Sequence, residues 1–309
     1  MEKINIFLYK NARPHVHDTE HRDHYYNTIP FSELGIKQHC NIVDSPDDAD
    51  FFYMGQFSND RWGNYSPSHF EHFLGKENKH ICDIEGEGGQ FIPDWLHNSI
   101  VTTMGPLKRY KNIFKLFARP TFSRLLLDIV KKPQENFSLP SEVSFGFRGF
   151  MNHKTRYYMA VALKGLDLPL SLWYNNQWSG PSEPGSNVQK EYIDTMLNSF
   201  VSLCPRGSGI DSVRLIESCY YNRIPVLISD EDYFMVGEDH YDTSFCYRYI
   251  ESNPIIKENM VKFITDILYT DFEELTDKAN KAKKYFNDVI LKYFEDPTKY
   301  FLNWLKNEH

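Results

Sequence analysis

Residues 200–230, FVSLCPRGSGIDSVRLIESCYYNRIPVLISD, leave the chain little choice of local fold. An apolar run over 200–203 breaks at Pro205-Arg206-Gly207-Ser208-Gly209. A segment with Val213, Leu215, Ile216 and Tyr220 at roughly helical spacing follows, and a second apolar run fills 224–228. Both runs have the length of strands, so the pattern predicts one β-α-β unit. Asp211 or Ser212 is the expected N-cap, because a short side-chain oxygen can satisfy a free amide of the first turn. Asn222 stands at the expected helix end, and asparagine tolerates the left-handed backbone that a C-cap needs.

A loop with two glycines feeding a helix N-terminus offers backbone N–H groups and the positive end of the helix dipole, which together favour an anion. Arg206 and Arg214 add fixed positive charge, and guanidinium matches phosphate oxygens two at a time. Glu217, one turn into the helix, has the chemistry to accept hydrogen bonds from a ribose diol. Basic groups for a diphosphate followed by an acid for a sugar hydroxyl describe a nucleotide-diphosphate site. Pro-x-Gly-x-Gly before a helix also occurs in α/β loops that bind nothing, and neither Walker A nor GxGxxG is present.

The run LCPRG, then SVRLIES, then NRIPVLISD resembles the C-terminal signature of the exostosin family of glycosyltransferases, roughly CPxG, SxRxxE, GxIPVI. Asn222 stands where a glycine is common. The resemblance is sharpest over 200–230 and extends back to 143. It implies an α/β chain of GT-B form: two Rossmann-like domains facing a central cleft, with C-terminal helices crossing back to the N-terminal domain. It also implies an inverting, metal-independent transfer from a nucleotide-diphosphate donor, usually a UDP-sugar, to a glycan hydroxyl. No cofactor is expected beyond that donor. Donor-site roles follow for Pro205, Arg206, Gly207, Ser212, Arg214 and Glu217. They follow too for Arg148 and Arg156, which match the family's strand-Gly-Arg segment. A non-catalytic module that binds a nucleotide sugar or glycan, and a nucleotide-sugar epimerase, remain compatible with the same form.

A length of 309 residues suits two domains. The expected division is 1–135 on the acceptor side, 136–290 for the nucleotide sugar and 291–309 as a helix returning to the first domain, with KKPQEN at 131–136 as the linker. The net charge of −8 argues against a general nucleic-acid binder. A few local arginines can still hold a small anion. Five scattered cysteines without a CxxC predict buried free thiols in a reducing compartment. The apolar run 4–9 is too short for a signal sequence, and no run is long enough to span a bilayer. A soluble cytoplasmic enzyme of a bacterial or viral type is therefore expected.

In the first half, strands are expected over 4–9, 42–43, 49–54, 80–84 and 99–103, and helices over 67–74, 107–117 and 122–131. Such alternation predicts a parallel sheet with ligands at the carboxyl ends of its strands. His15 and His17 lie in a polar, histidine-rich segment. Zinc would need a compact four-ligand spacing that the segment lacks, so both are assigned to the acceptor side. The loop DIEGEGG follows the strand at 80–84. An inverting transfer needs a base for the acceptor hydroxyl, and Glu87, Glu85 and Asp83 are the candidates, Glu87 first. Strand alternation aims Asp83 and Glu85 to one side. An acidic surface turn reads equally well from these residues alone.

In the second half, strands are expected over 143–147, 168–173 and 245–250, and helices over 154–163, 189–198 and 257–268. The polar aromatic loop 174–181 offers a flat face for a base. A long amphipathic stretch covers 272–293, and a last helix over 296–306 carries Tyr300, Phe301, Trp304 and Leu305 on its apolar face.

Overall fold

The computed structural model describes residues 3–9, 30, 33–57, 65–84, 92–121, 123–132, 135–175 and 185–308. The chain forms two compact units. One comprises Met1–Pro120, Tyr233–Val236 and Leu291–His309, the other Thr121–Asp232 and Gly237–Ile290.

The first unit is built on six strands: β1 Ile4–Leu8, β2 Cys40–Val43, β3 Phe51–Phe57, β4 His80–Ile84, β5 Ile100–Met104 and β6 Lys115–Arg119. They lie in the order β2-β1-β3-β4-β5-β6 and every pairing is parallel. β4 and β5 are buried along their whole length, and HICDI and IVTTM accordingly show no alternation of apolar and polar residues. Gly55, at φ 103°, takes up the register shift between β3 and β4. The Pro297–Glu308 helix lays Phe301 and Trp304 on Phe117 of β6, with ring centroids 4.9 and 5.1 Å apart. The C-terminal aromatic helix is thus part of the first unit, as the expected fold class requires.

The second unit holds β7 Phe145–Phe150, β8 Leu170–Asn175, β9 Val201–Pro205, β10 Ile224–Ser229 and β11 Tyr247–Ile250, all parallel, in the order β11-β10-β9-β7-β8. Met159, Ala162 and Leu163 of the Lys154–Leu163 helix join Met260, Ile264 and Ile267 of the Lys257–Leu268 helix in one core with the inner strands. The Val213–Tyr220 helix connects β9 to β10 and packs against Phe272–Tyr285.

Its C-terminus closes as the sequence predicted. Asn222 takes φ 59°, its N–H reaches the Cys219 carbonyl at 3.2 Å, and the Arg223 N–H reaches the Ser218 carbonyl at 2.9 Å. That is a Schellman cap with asparagine in the left-handed position. The Arg223 side chain is buried. Its Nε donates to Met196 O, Nη1 to Tyr221 O and Asn222 O, and Nη2 to Ser138 O and Leu197 O, all within 3.2 Å.

Both sheets are doubly wound α/β sheets with the same winding: within each unit the strand order runs second, first, third, fourth, fifth. The chain reverses direction between the first and third strands, and loops diverging there leave a crevice at the carboxyl edge. In the first unit those loops, 10–29 and 58–64, lie outside the described residues. In the second they are the segments after β7 and after β9.

Several expected elements differ. The helix expected at 67–74 is a single turn, Pro67–His69. That expected at 107–117 is a turn, Lys108–Tyr110, followed by β6. β6 is an edge strand paired only to β5, and its terminal Lys115 and Arg119 gave the segment a helix-like mixture of basic and apolar residues. The Arg124–Ile129 helix, read with the first half, packs in the second unit on Val213–Tyr220. The long amphipathic stretch is interrupted by a π-helical turn at Phe286–Ile290. The helix Glu33–His39 was not foreseen. All five cysteines are free and buried. No helix among the described residues is long and apolar enough to cross a membrane.

Candidate functional site

Four arginines meet at the reversal point of the second sheet. Arg148 is on β7, Arg156 on the helix after β7, Arg206 directly after β9 and Arg214 on the helix after β9. Arg148 faces Trp173, its register partner on β8, with the guanidinium carbon 3.7 Å from the ring centroid, and pairs with Glu191. Arg206 pairs with Asp230 at 2.6 Å and donates to the Ser208 carbonyl at 3.3 Å. The other oxygen of Asp230 accepts from Asn253 Nδ2 at 3.0 Å. Burial raises the Asp230 pKa, but the hydrogen bond and charge of Arg206 outweigh it and hold the carboxyl below its ordinary range.

Arg156 and Arg214 differ in kind. Arg156 donates through Nε to the Arg206 carbonyl at 3.1 Å and through Nη1 to the Phe150 carbonyl at 2.7 Å. Arg214 donates through Nη2 to the Arg148 carbonyl, and its guanidinium lies over the rings of Phe147 and Tyr192, 4.9 and 4.4 Å from their centroids. Nη1 of Arg214 is buried without a hydrogen-bond partner. Among the described residues, therefore, both guanidiniums hydrogen-bond only to backbone carbonyls. Burial, and then the charge of Arg214, pull the Arg156 pKa down to about 10. Glu217 acts on Arg214 through its charge, and a bound oxyanion would offset the repulsion between the two guanidiniums further.

Gly207 is what lets Arg156 in. A Cβ at this position would lie 3.0 Å from Arg156 Nη2 and 3.3 Å from Asn152 Nδ2. Asn152 also donates to Ser208 Oγ at 3.0 Å, and the Nδ1 of His153 accepts from the Thr155 N–H at 3.2 Å, capping the helix after β7. Burial, then Arg206, lower the His153 pKa.

Four expected site residues sit otherwise than the sequence suggested. Glu217 is buried, and its two carboxylate oxygens accept from Ser123 Oγ and Tyr192 Oη, so neither is offered to a ribose diol. Ser212 occupies the N-cap position but its side chain makes no capping bond, and Pro205 is a buried strand residue opposite Ile228. Asp83 is fully buried in β4, paired with Arg119 at 3.0 Å and accepting from Thr102 Oγ1 at 2.7 Å. The carboxyl is thus shut away from solvent, and burial raises its pKa. Glu85, Glu87, His15 and His17 lie outside the described residues. No group of three or more histidine, cysteine or acidic side chains suited to a metal ion occurs among the described residues.

Sequence reasoning missed Trp173, Glu191, Tyr192, Asp230 and Asn253. Only Asp230 carried a signal: it follows β10, next to β9, at the carboxyl edge where ligands gather.

No protein-family model matches the sequence, and no curated protein matches it. Similar solved structures include an alpha1,3-fucosyltransferase, with 11% identity, a TM-score of 0.37 and coverage of 96% of this chain and 92% of that one. Another is a variant of S. aureus TarM in complex with fondaparinux, alpha-GlcNAc-glycerol and UDP, with 9% identity, a TM-score of 0.34 and coverage of 76% and 57%. The GtfA/B complex matches at 8% identity and a TM-score of 0.36, with coverage of 78% and 55%. The chain thus spans little more than half the length of the TarM and GtfA/B chains it matches.

Proposed function

We propose that this chain is an exostosin-like glycosyltransferase that takes a sugar from a nucleoside-diphosphate donor, UDP-linked in the first instance, and moves it to a glycan hydroxyl. The observation that carries the reading is the pair Arg156 and Arg214, cations at the reversal point of a doubly wound sheet whose hydrogen bonds among the described residues go only to carbonyls. A diphosphate supplies acceptors and negative charge to both. Nη1 of Arg214 is a donor without an acceptor, and phosphate oxygens are acceptors.

The proposed chemistry is a single displacement with inversion. A carboxylate takes the acceptor proton as that oxygen bonds to the anomeric carbon, and the bond from that carbon to the diphosphate oxygen breaks. Glu87 or Glu85 is the proposed base, and His15 and His17 are proposed contacts for the acceptor. Negative charge grows on the departing diphosphate, where fixed guanidiniums stabilise it most in the transition state. Arg148 and Arg206, already paired with acids, hold the pocket's outline. In this scheme the arginines take the part a divalent ion plays in other transferases.

The test is binding and turnover together. Wild type should bind at least one of UDP, GDP, CDP, ADP and dTDP by calorimetry, and release nucleotide from the matching sugar donor in the presence of EDTA when offered glycan acceptors. Arg214→Gln should weaken nucleotide binding by about tenfold or more, the loss of one charge-assisted hydrogen bond. A wild type that binds none of the five refutes the proposal.

A further inference from the structure

Glu217 has the position of a ligand-binding acid and the bonding of a structural one. It is buried under two donors: Ser123 Oγ on one oxygen and Tyr192 Oη on the other. Ser123 cannot easily turn away, because the same hydroxyl accepts the Leu126 N–H at 3.0 Å as cap of the Arg124–Ile129 helix. The carboxylate is therefore fixed, and it fixes the phenol of Tyr192. The other function of Tyr192 is its ring, whose centroid lies 4.4 Å from the guanidinium carbon of Arg214. Together with the Phe147 ring at 4.9 Å and the Arg148 carbonyl on Nη2, the ring limits where Nη1, which has no hydrogen-bond partner, can point.

We propose that Tyr192 and Glu217 are positioning residues: the chain Ser123–Glu217–Tyr192 sets the wall that aims Arg214 at an oxyanion. This rests on the nucleoside-diphosphate reading above and adds to it. Glu217 contributes to phosphate affinity through a ring, without touching the ligand. A guanidinium held against two rings and a carbonyl loses little rotational freedom when it binds, which favours tight, directional phosphate recognition. Removing the phenol hydroxyl leaves the cation in place but frees the ring.

The experiment compares Tyr192→Phe, Tyr192→Leu and Ser123→Ala with wild type. Each is titrated with the diphosphate that wild type binds among UDP, GDP, CDP, ADP and dTDP, and with the parent nucleoside by ligand-observed NMR competition. Tyr192→Phe should lose about tenfold in diphosphate affinity while nucleoside affinity stays the same, since only an arginine–phosphate contact is misaimed. Tyr192→Leu should lose more. Ser123→Ala, which frees the same carboxylate without touching either ring, should shift diphosphate affinity in the same direction and serves if Tyr192→Phe does not fold. Unchanged diphosphate affinity in folded Tyr192→Phe or Ser123→Ala, or equal losses for diphosphate and nucleoside, overturns the inference and leaves the functional reading standing. A wild type that binds no diphosphate overturns both.

Discussion

Arg223 gives the sharpest test of how the second unit is held together. Its guanidinium lies where two helices end, and it spreads three nitrogens over five carbonyls: Met196 and Leu197 at the end of Asn187–Leu197, Tyr221 and Asn222 just after Val213–Tyr220, and Ser138 from the incoming segment. Burial lowers its pKa to about 10, so it is still charged at neutral pH. Arg223→Lys keeps the charge but cuts the donors from five to three and abandons the planar fork. Two charge-assisted hydrogen bonds at roughly 1.5 kcal/mol each put the cost at about 3 kcal/mol. Equilibrium urea unfolding measures the total. Hydrogen exchange of peptides covering 187–198 and 213–223 shows whether both helix ends loosen together, as a shared cation requires. A loss below about 1 kcal/mol, or loosening at only one of the two ends, would show that the carbonyls find other partners and that the reasoning is wrong.

Two further predictions concern other places. Gly207→Ala brings a methyl against Arg156 Nη2, whose guanidinium is anchored by two carbonyls, so nucleotide affinity should fall several-fold while the melting temperature changes by only a few degrees; calorimetry with the wild-type ligand checks it. His80 is buried, stacked 4.7 Å from Phe52, with its two nitrogens bonded to Tyr9 Oη and the Lys76 carbonyl, and burial lowers its pKa to about 4. The unfolded chain therefore binds the proton more readily. The stability His80 contributes is complete above about pH 6.5 and is lost as pH falls towards 4, by an amount on the order of 3 kcal/mol. His80→Gln should flatten that part of the stability profile, and an unaltered slope between pH 6.5 and 4 would refute the assignment.

The parts of the fold legible in the sequence are the fully buried strands and the helices whose apolar residues recur on one face. β9, the Val213–Tyr220 helix and β10 fall where the apolar runs and the glycine loop put them, and Lys154–Leu163 and Lys257–Leu268 are read to the residue. β6 was illegible because an edge strand carrying basic residues has the same composition as an amphipathic helix. At the site, the arginines could be read but their state could not. Arg206 finds its acid 24 residues away and Arg148 finds its own 43 away. Whether a cation is paired or bare is thus a property of the assembled sheet. The same holds for Glu217, whose spacing suggested a ligand while its partners, Ser123 and Tyr192, come from two other helical segments.

The carbonyl-only bonding of Arg156 and Arg214 sets resting robustness against work. The protein holds two mutually repelling groups that a hydrocarbon side chain would replace without the repulsion, and natural chains drift away from such arrangements unless use retains them. A redesign scored on melting point alone would discard this pair early, and would return a sturdier molecule without the cations on which the proposed phosphate site rests.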